Sequence, residues 1–98
     1  MKHEMICGAA KTVADGLRDA QMQYEYADHA REHGDTEMAA KHISEAHRRL
    51  VGVSEWLSVL DESEEAHQPL AKTLLGQYRH WHDDLMEKVE HFHAAAKT

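Results

Sequence analysis

Residues that interrupt helices or cross-link chains are scarce in this sequence. Its 98 residues include one cysteine, one proline and five glycines. The single Cys7 excludes an internal disulfide, and we expect a reduced thiol in a cytoplasmic protein. The scarcity of proline and glycine favours long helices over a sheet protein. A chain of this length predicts one domain with a thin core.

Basic clusters and long apolar runs are also lacking. The formal net charge is −7 at pH 7, and the only adjacent basic pair is Arg48-Arg49. Repulsion from phosphate groups therefore argues against a nucleic-acid partner. No stretch approaches the roughly 20 apolar residues that span a bilayer, so we expect no membrane association. Because the sequence has no glycine-rich phosphate loop and no ordered nucleophile and base, it does not predict an enzyme.

Turn-forming residues divide the chain into three helical segments. Gly34 ends the first segment, Asp35 or Thr36 can cap the second, and Pro69 fits the first turn of the third. The predicted helices span about residues 3–33, 36–61 and 69–95. Since short connections make neighbouring helices antiparallel, we predict an all-α, up-down-up three-helix bundle.

Each segment carries apolar residues at alternating steps of four and three, a period typical of helices packed at shallow angles. The seam on the first segment comprises Ile6, Ala10, Val13, Leu17, Ala20, Tyr24 and Ala27. The seam on the second comprises Ala39, Ile43, Ala46, Leu50, Val53, Leu57 and Leu60. The seam on the third comprises Ala71, Leu74, Tyr78, Trp81, Leu85 and Phe92, with Val89 substituting for Lys88.

A second, weaker apolar stripe lies off these seams, and three helices cannot bury all of it. Its members are Met22, Tyr26, Val51, Trp56, Val59, Leu75, Met86 and Val89. Residual apolar surface on a small protein often marks an interface. We therefore predict a homodimer whose interface includes Met22, Tyr26, Met86 and Val89. Partial burial of scattered side chains is the alternative.

Histidine is the residue type in excess, with ten among the 98 residues. Histidine is the commonest metal ligand and titrates near neutral pH. In an up-down-up bundle, one pole collects half of the histidines: His29, His33, His42, His91 and His93. Near mid-bundle, His47 of the second helix pairs with His82 of the third. Glu90 and His93 also have the Glu-x-x-His spacing that di-iron bundles use.

The candidate metal ligands are the histidines and carboxylates at the edge of the predicted core: His42, Glu45, His47, His82, Glu87 and His91. Imidazole and carboxylate ligands favour iron, zinc or manganese over copper(I). Two other interpretations of the histidines stay open. They can be solvated surface residues, or they can form a pH-responsive interface.

The motif Tyr26-Ala27-x-x-Ala30, Gly34-Asp35-x-Glu37-Met38-Ala39 and Ile43-Ser44-Glu45-Ala46-His47 resembles the helical hairpin of small ferritin-like proteins. The resemblance covers roughly a quarter of the chain. It implies an antiparallel bundle completed by two chains. It also implies a di-iron site formed by a glutamate on one helix and Glu-x-x-His on the next.

The ligand pattern implied by this resemblance is incomplete here. Asp19 stands where the first glutamate is expected, and Glu45 can serve as the second. Arg48 stands where the histidine should follow, and the adjacent His47 points about 100° away on a helix. The resemblance therefore supports the fold and the dimer more than ferroxidase activity. Two functions remain: a metal-binding, ferritin-like bundle, or a non-catalytic dimerisation or protein-interaction module.

Overall fold

Three long α-helices follow one another in the computed structural model of the chain. Helix α1 spans Lys2–Glu32, α2 spans Thr36–Asp61 and α3 spans Pro69–Ala96. The structure describes the backbone of residues 2–62 and 68–96, and the side chains of residues 10–62 and 68–95. The predicted all-α, three-helix architecture is confirmed.

The connection between α1 and α2 is a tight turn with a helix cap. Gly34 has φ of +78°, a backbone conformation that glycine adopts without steric cost. The carboxylate of Asp35 accepts a hydrogen bond of 3.0 Å from the backbone N–H of Met38. This bond satisfies one of the free N–H groups at the start of α2 and confirms the predicted N-cap.

The helices run up, down and up. Asp19 contacts Arg49 and Gln23 contacts His42, so positions later on α1 meet positions earlier on α2. The two helices are therefore antiparallel. Helix α3 packs mainly against α2 and less closely against α1. Its Arg79 contacts Asp61 and its His82 contacts Leu50, so α2 and α3 are also antiparallel. The resulting bundle measures 48 × 20 × 16 Å.

The seams predicted for α1 and α2 form the core. All seven predicted positions of α2 are buried. On α1 the buried positions are Val13, Leu17, Ala20 and Ala27, and Tyr24 is half-buried against them. Ile6 and Cys7 lie outside the residues whose side chains are described.

The seam predicted for α3 differs from the observed one at two positions, where Leu75 and His82 take the places predicted for Leu74 and Trp81. The observed core stripe comprises Ala71, Leu75, Tyr78, His82, Leu85, Val89 and Phe92. It keeps the four-three spacing without a skipped position. Leu74 is instead exposed, whereas Trp81, half-buried like Leu75 and Tyr78, packs against the edge of the core. The cause is His82, a polar residue that takes a core position because its ring nitrogens find hydrogen-bond partners there.

Helices α1 and α2 approach each other closely at Gly16. A Cβ atom at this position would lie only 2.7 Å from Cγ2 of Val53, which is itself buried. The absence of a side chain at Gly16 is therefore what permits this packing distance. By contrast, a Cβ at Gly76 of α3 would meet nothing within 4 Å.

Within the described ranges, no helix combines the length and the apolar character needed to cross a membrane.

Candidate functional site

The six candidate metal ligands lie in separate places. His42 and Glu45 lie where α2 borders α1, whereas His82 is buried between α3 and α2. The remaining three candidates, His47, Glu87 and His91, are exposed. Among the residues that the structure describes, no three histidine, cysteine, aspartate or glutamate side chains converge on a position that could hold a metal ion.

Glu45 lies in a four-residue ion-pair cluster that links α1 to α2. Arg48 donates to both of its carboxylate oxygens, at 2.5 Å from Nη2 and 3.1 Å from Nε. Arg49 lies between the two helices, with Nε 3.3 Å from Glu45 and Nη1 3.4 Å from Asp19. The guanidinium group of Arg49 therefore bridges Asp19 of α1 and Glu45 of α2.

This cluster is where the ferritin-like resemblance would place a metal, and the residues present do not fit one. The oxygens of Glu45 already accept from Arg48, and Arg49 supplies the positive charge between Glu45 and Asp19. A dication at the same place would meet two guanidinium charges a few ångströms away, with strong repulsion. The Arg48 position also lacks the histidine that the pattern requires.

The same contacts lower the pKa of Glu45 below its ordinary value of 4.5, first through the hydrogen bond from Arg48 and then through the charges of both arginines. Because the folded-state pKa is lowered, the pair stabilises the fold above the unfolded-state pKa, and this contribution is lost as the pH falls through the folded-state pKa.

We expect the carboxyl carbon of Glu45 to titrate below 4.5 in wild-type protein, as followed by carbon-13 NMR. In an Arg48→Gln variant the titration midpoint should move upward, because the strongest hydrogen-bond donor is gone. An unchanged Glu45 midpoint in the variant would show that the Arg48 contact is absent in solution.

His82 is the buried histidine of the α2–α3 interface. Its Nε2 lies 3.0 Å from the carbonyl oxygen of Leu50, and its Nδ1 lies 3.0 Å from Oδ1 of Asp83. A carbonyl and an ionised carboxylate only accept hydrogen bonds, so both contacts are complete when both ring nitrogens carry a proton. His82 thus ties α3 to the backbone of α2 and has a structural role.

Two other histidine contacts lie towards the turn between α1 and α2. The ring of His42 lies 2.7 Å from Gln23 Oε1 through Nδ1, and its centre is 5.5 Å from that of Tyr26. His29 and His33 are four residues apart on α1, and their ring centres are 4.3 Å apart. Nδ1 of His33 lies 2.9 Å from the His29 carbonyl oxygen. These contacts occupy one nitrogen each on His42 and His33.

The four residues predicted to form an interface do not form one surface. Met22 and Tyr26 are exposed on α1. Met86 is half-buried against the core, and Val89 is completely buried within it. Val89 therefore presents no surface to a partner. The corrected seam of α3 explains this, because Val89 is one of its regular positions.

A different set of exposed apolar side chains does share one surface, the outward side of the α1–α2 pair. Asp19 and Arg49 mark this side because they bridge the two helices. Residues seven apart lie on the same side of a helix. Tyr26 is seven residues after Asp19, Trp56 seven after Arg49, and Met22 lies between Asp19 and Tyr26 at helical spacing.

Met38 and Val59 belong to the same surface, because they lie seven residues before and fourteen after Glu45. We call the surface formed by Met22, Tyr26, Met38, Trp56 and Val59 the hairpin face. Its five apolar side chains are each between 42% and 58% exposed. Of the eight large apolar side chains exposed among the described residues, the other three are Val51, Leu70 and Leu74.

The opposite side of α1 carries a shallow groove against α3. One part of it, about 170 Å³ in volume, is lined by Gln21, Tyr24, Glu25, Trp81, Asp84, Leu85 and Lys88. The indole N–H of Trp81 donates to Gln21 across the groove at 3.1 Å. Phe92 packs edge-on against Tyr24 and beneath the guanidinium of Arg31. These contacts show that the groove is part of the packing between α1 and α3.

Comparison with protein-family models, curated protein sequences and solved structures gave no match to this chain.

Proposed function

We propose that this protein is a non-catalytic interaction module that works as a homodimer and associates through the hairpin face. The observation that carries the proposal is the grouping of five large, exposed apolar side chains on the outward side of the α1–α2 pair. Exposed apolar surface of this kind is unfavourable in water unless a partner covers it.

The composition of the hairpin face fits an interface. Tyrosine, tryptophan and methionine are enriched at the centres of protein interfaces, and Tyr26, Trp56, Met22 and Met38 supply them here. The ion pairs of Glu45 and Arg48 lie among these apolar groups. A surface that alternates apolar anchors with paired charges is typical of an assembly that forms from folded monomers.

The area of the hairpin face supports a second copy of the chain as the partner. Helix α2 has 26 residues, so it is roughly 39 Å long at about 1.5 Å per residue. Two adjacent helices, each about 10 Å wide, then present roughly 800 Å². This is about the area that each partner buries in a stable protein–protein interface of standard size.

The alternative function, binding of iron, zinc or manganese, has less support. The arginines at the Asp19–Glu45 position disfavour a dication, and the remaining candidate ligands are separated. A metal site needs ligands that are close together and oriented by further hydrogen bonds. His82, the most buried candidate, is already bonded to Leu50 and Asp83.

Charged substitutions on the hairpin face test the proposal. We expect Tyr26→Glu and Trp56→Glu, each as a single variant, to weaken dimerisation at least about a hundredfold, equivalent to about 2.7 kcal/mol. The physical reason is that each variant would bury an unpaired carboxylate in an apolar contact. The dissociation constant is measured by sedimentation equilibrium, and helicity is checked by circular dichroism.

Two variants provide matched controls. Val51 and Leu70 are exposed apolar residues outside the hairpin face, so Val51→Glu and Leu70→Glu change charge and hydrophobicity in the same way. Both controls should dimerise like the wild type. If the two hairpin-face variants also keep the wild-type dissociation constant, the hairpin face is not the interface.

A further inference from the structure

Two histidines at the end of α1 form a close, exposed pair that the proposed interaction module does not use. His29 and His33 are four residues apart, and the backbone N–H of His33 still bonds to the His29 carbonyl oxygen, at 3.2 Å. Helical geometry therefore places both side chains on the same side of α1. Their ring centres are 4.3 Å apart, and both residues are exposed. Two imidazole groups at this spacing on a helix are placed to bind one metal ion together.

The hydrogen bond made by the ring of His33 leaves its second nitrogen free for a metal. Nδ1 of His33 lies 2.9 Å from the carbonyl oxygen of His29. A carbonyl oxygen only accepts, so Nδ1 carries the proton, and in the neutral ring Nε2 carries the lone pair. Metal-bound histidines usually donate their other N–H to a carbonyl or carboxylate oxygen, which orients the ring. His33 has such a partner within its own helix.

The distance between the two rings matches neighbouring ligands of a square-planar or tetragonal ion. A ring nitrogen binds a metal at about 2.0 Å, which places the ring centre about 3.2 Å from the ion. Two ligands at the angle of about 90° in tetragonal coordination then have ring centres about 4.5 Å apart, against about 5.2 Å around a tetrahedral ion. The observed 4.3 Å is close to the first value. Tetragonal coordination by nitrogen ligands is typical of Cu²⁺ and Ni²⁺.

The charges around the pair favour a cation. Arg31 is the only lysine or arginine from Asp19 to Ala40. Its guanidinium group lies 2.5 Å from the carboxylate of Asp28 and over the ring of Phe92, so its charge is already paired. Glu32 adds a negative charge in the same turn. The carboxyl-terminal end of a helix also carries a partial negative charge, and the pair lies at that end of α1.

We infer that His29 and His33 form a two-histidine site for a divalent transition metal, with Cu²⁺ bound more tightly than Ni²⁺ or Zn²⁺. The Irving–Williams order gives Cu²⁺ this preference at nitrogen ligands. Because no third metal-binding side chain converges with the pair among the described residues, water completes the coordination. The site borders the hairpin face, since His33 is seven residues after Tyr26. Both ligands come from one helix, however, so the site does not require the proposed dimer.

A copper titration of the full chain tests the site. The chain is prepared without an affinity tag in a His3→Ala, Cys7→Ser background, because the imidazole of His3 and the thiolate of Cys7 are competing copper ligands. Below one equivalent of Cu²⁺, we expect an electron paramagnetic resonance spectrum with coupling to two imidazole nitrogens. His29→Gln and His33→Gln should each weaken binding at least about tenfold, since only one imidazole remains. Titration calorimetry measures the affinity, and circular dichroism checks the helicity.

Two kinds of control distinguish the pair from the other histidines. His47→Gln and His80→Gln each remove a single exposed histidine elsewhere, and both should keep the affinity of the background protein. Asp28→His combined with His29→Asp keeps the composition but sets the two histidines five residues apart, about 140° around the helix. This exchanged variant should bind Cu²⁺ as weakly as His33→Gln.

The possible results separate the copper site from the dimer. Unchanged affinity in either glutamine variant or in the exchanged variant would overturn the site. A spectrum of the background protein with a single coupled nitrogen, or no binding at up to about a hundred micromolar Cu²⁺, would overturn it without reliance on any of these variants. A chain that binds Cu²⁺ at the pair but sediments as a monomer would overturn the proposed dimer and leave the site intact.

Discussion

Replacing His82 with alanine is expected to lower the free energy of unfolding by about 2–4 kcal/mol. The substitution leaves a cavity at a core position of α3 and removes the hydrogen bond to the Leu50 carbonyl oxygen. Chemical denaturation at one fixed protein concentration measures the effect, because the proposed dimerisation would make apparent stability depend on concentration. His80→Ala, at an exposed position two residues earlier, should change stability by less than about 0.5 kcal/mol.

A leucine at position 82 separates packing from hydrogen bonding. The Leu50 carbonyl oxygen lies inside α2, where the helix itself supplies a backbone N–H donor, so the loss of His82 removes only a second donor. His82→Leu, which fills the space again, should therefore restore most of the stability that His82→Ala loses. Wild-type stability in the alanine variant would show that position 82 is not in the core. The seam predicted from the sequence, with Trp81 in that role, would then be the correct one.

Replacing Gly16 with alanine is expected to destabilise the protein by about 1–3 kcal/mol, although alanine is the better helix former. The new methyl group would lie 2.7 Å from Cγ2 of Val53, whose β-branched side chain is buried and has little freedom to move. The helices must separate locally to accept it. Thermal and urea unfolding report the change.

Gly76→Ala is the matched control for this effect. Its Cβ meets nothing within 4 Å, so the substitution should stabilise the protein by up to about 1 kcal/mol through helix propensity alone. The two glycine substitutions should therefore have opposite signs. Equal stabilisation by both would mean that α1 and α2 are farther apart in solution than the structure places them.

The fold was largely predictable because the seams of α1 and α2 consist of apolar residues in uninterrupted four-three spacing. Gly34, Asp35 and Pro69 also mark helix boundaries with well-understood local chemistry. The α3 seam was misassigned at His82 because a search for apolar residues cannot reveal a buried histidine. Its placement depends on a carbonyl of another helix, Leu50, which only the tertiary structure brings within reach.

The candidate site was predicted less well, for a related reason. Histidine abundance and Glu-x-x-His spacing are properties of the chain alone, whereas a site requires convergence between helices. The spacing of Glu45 with Arg48 and Arg49, three and four residues later, already indicated ion pairs on one helix face. This spacing, rather than the histidine content, predicts the ion-pair cluster of Glu45, Arg48 and Arg49 that the structure contains.

The arginine cluster also relates the ferritin-like resemblance to the proposed module. The resemblance implies a bundle completed by two chains, and the hairpin face offers a surface for that second chain. At Asp19 and Glu45, however, the charge that would balance the carboxylates comes from Arg49 and Arg48. We therefore expect assembly of the protein to be independent of added iron, zinc or manganese.

Sedimentation equilibrium of the untagged wild-type chain, without added metal, is the most direct test of the proposed assembly. The chain mass is 11.2 kDa, and we predict a species of twice that mass in reversible exchange with the monomer. The dimer fraction should rise with protein concentration. A single species of 11.2 kDa at every concentration, up to about the hundred-micromolar range of weak interfaces, would contradict the homodimer.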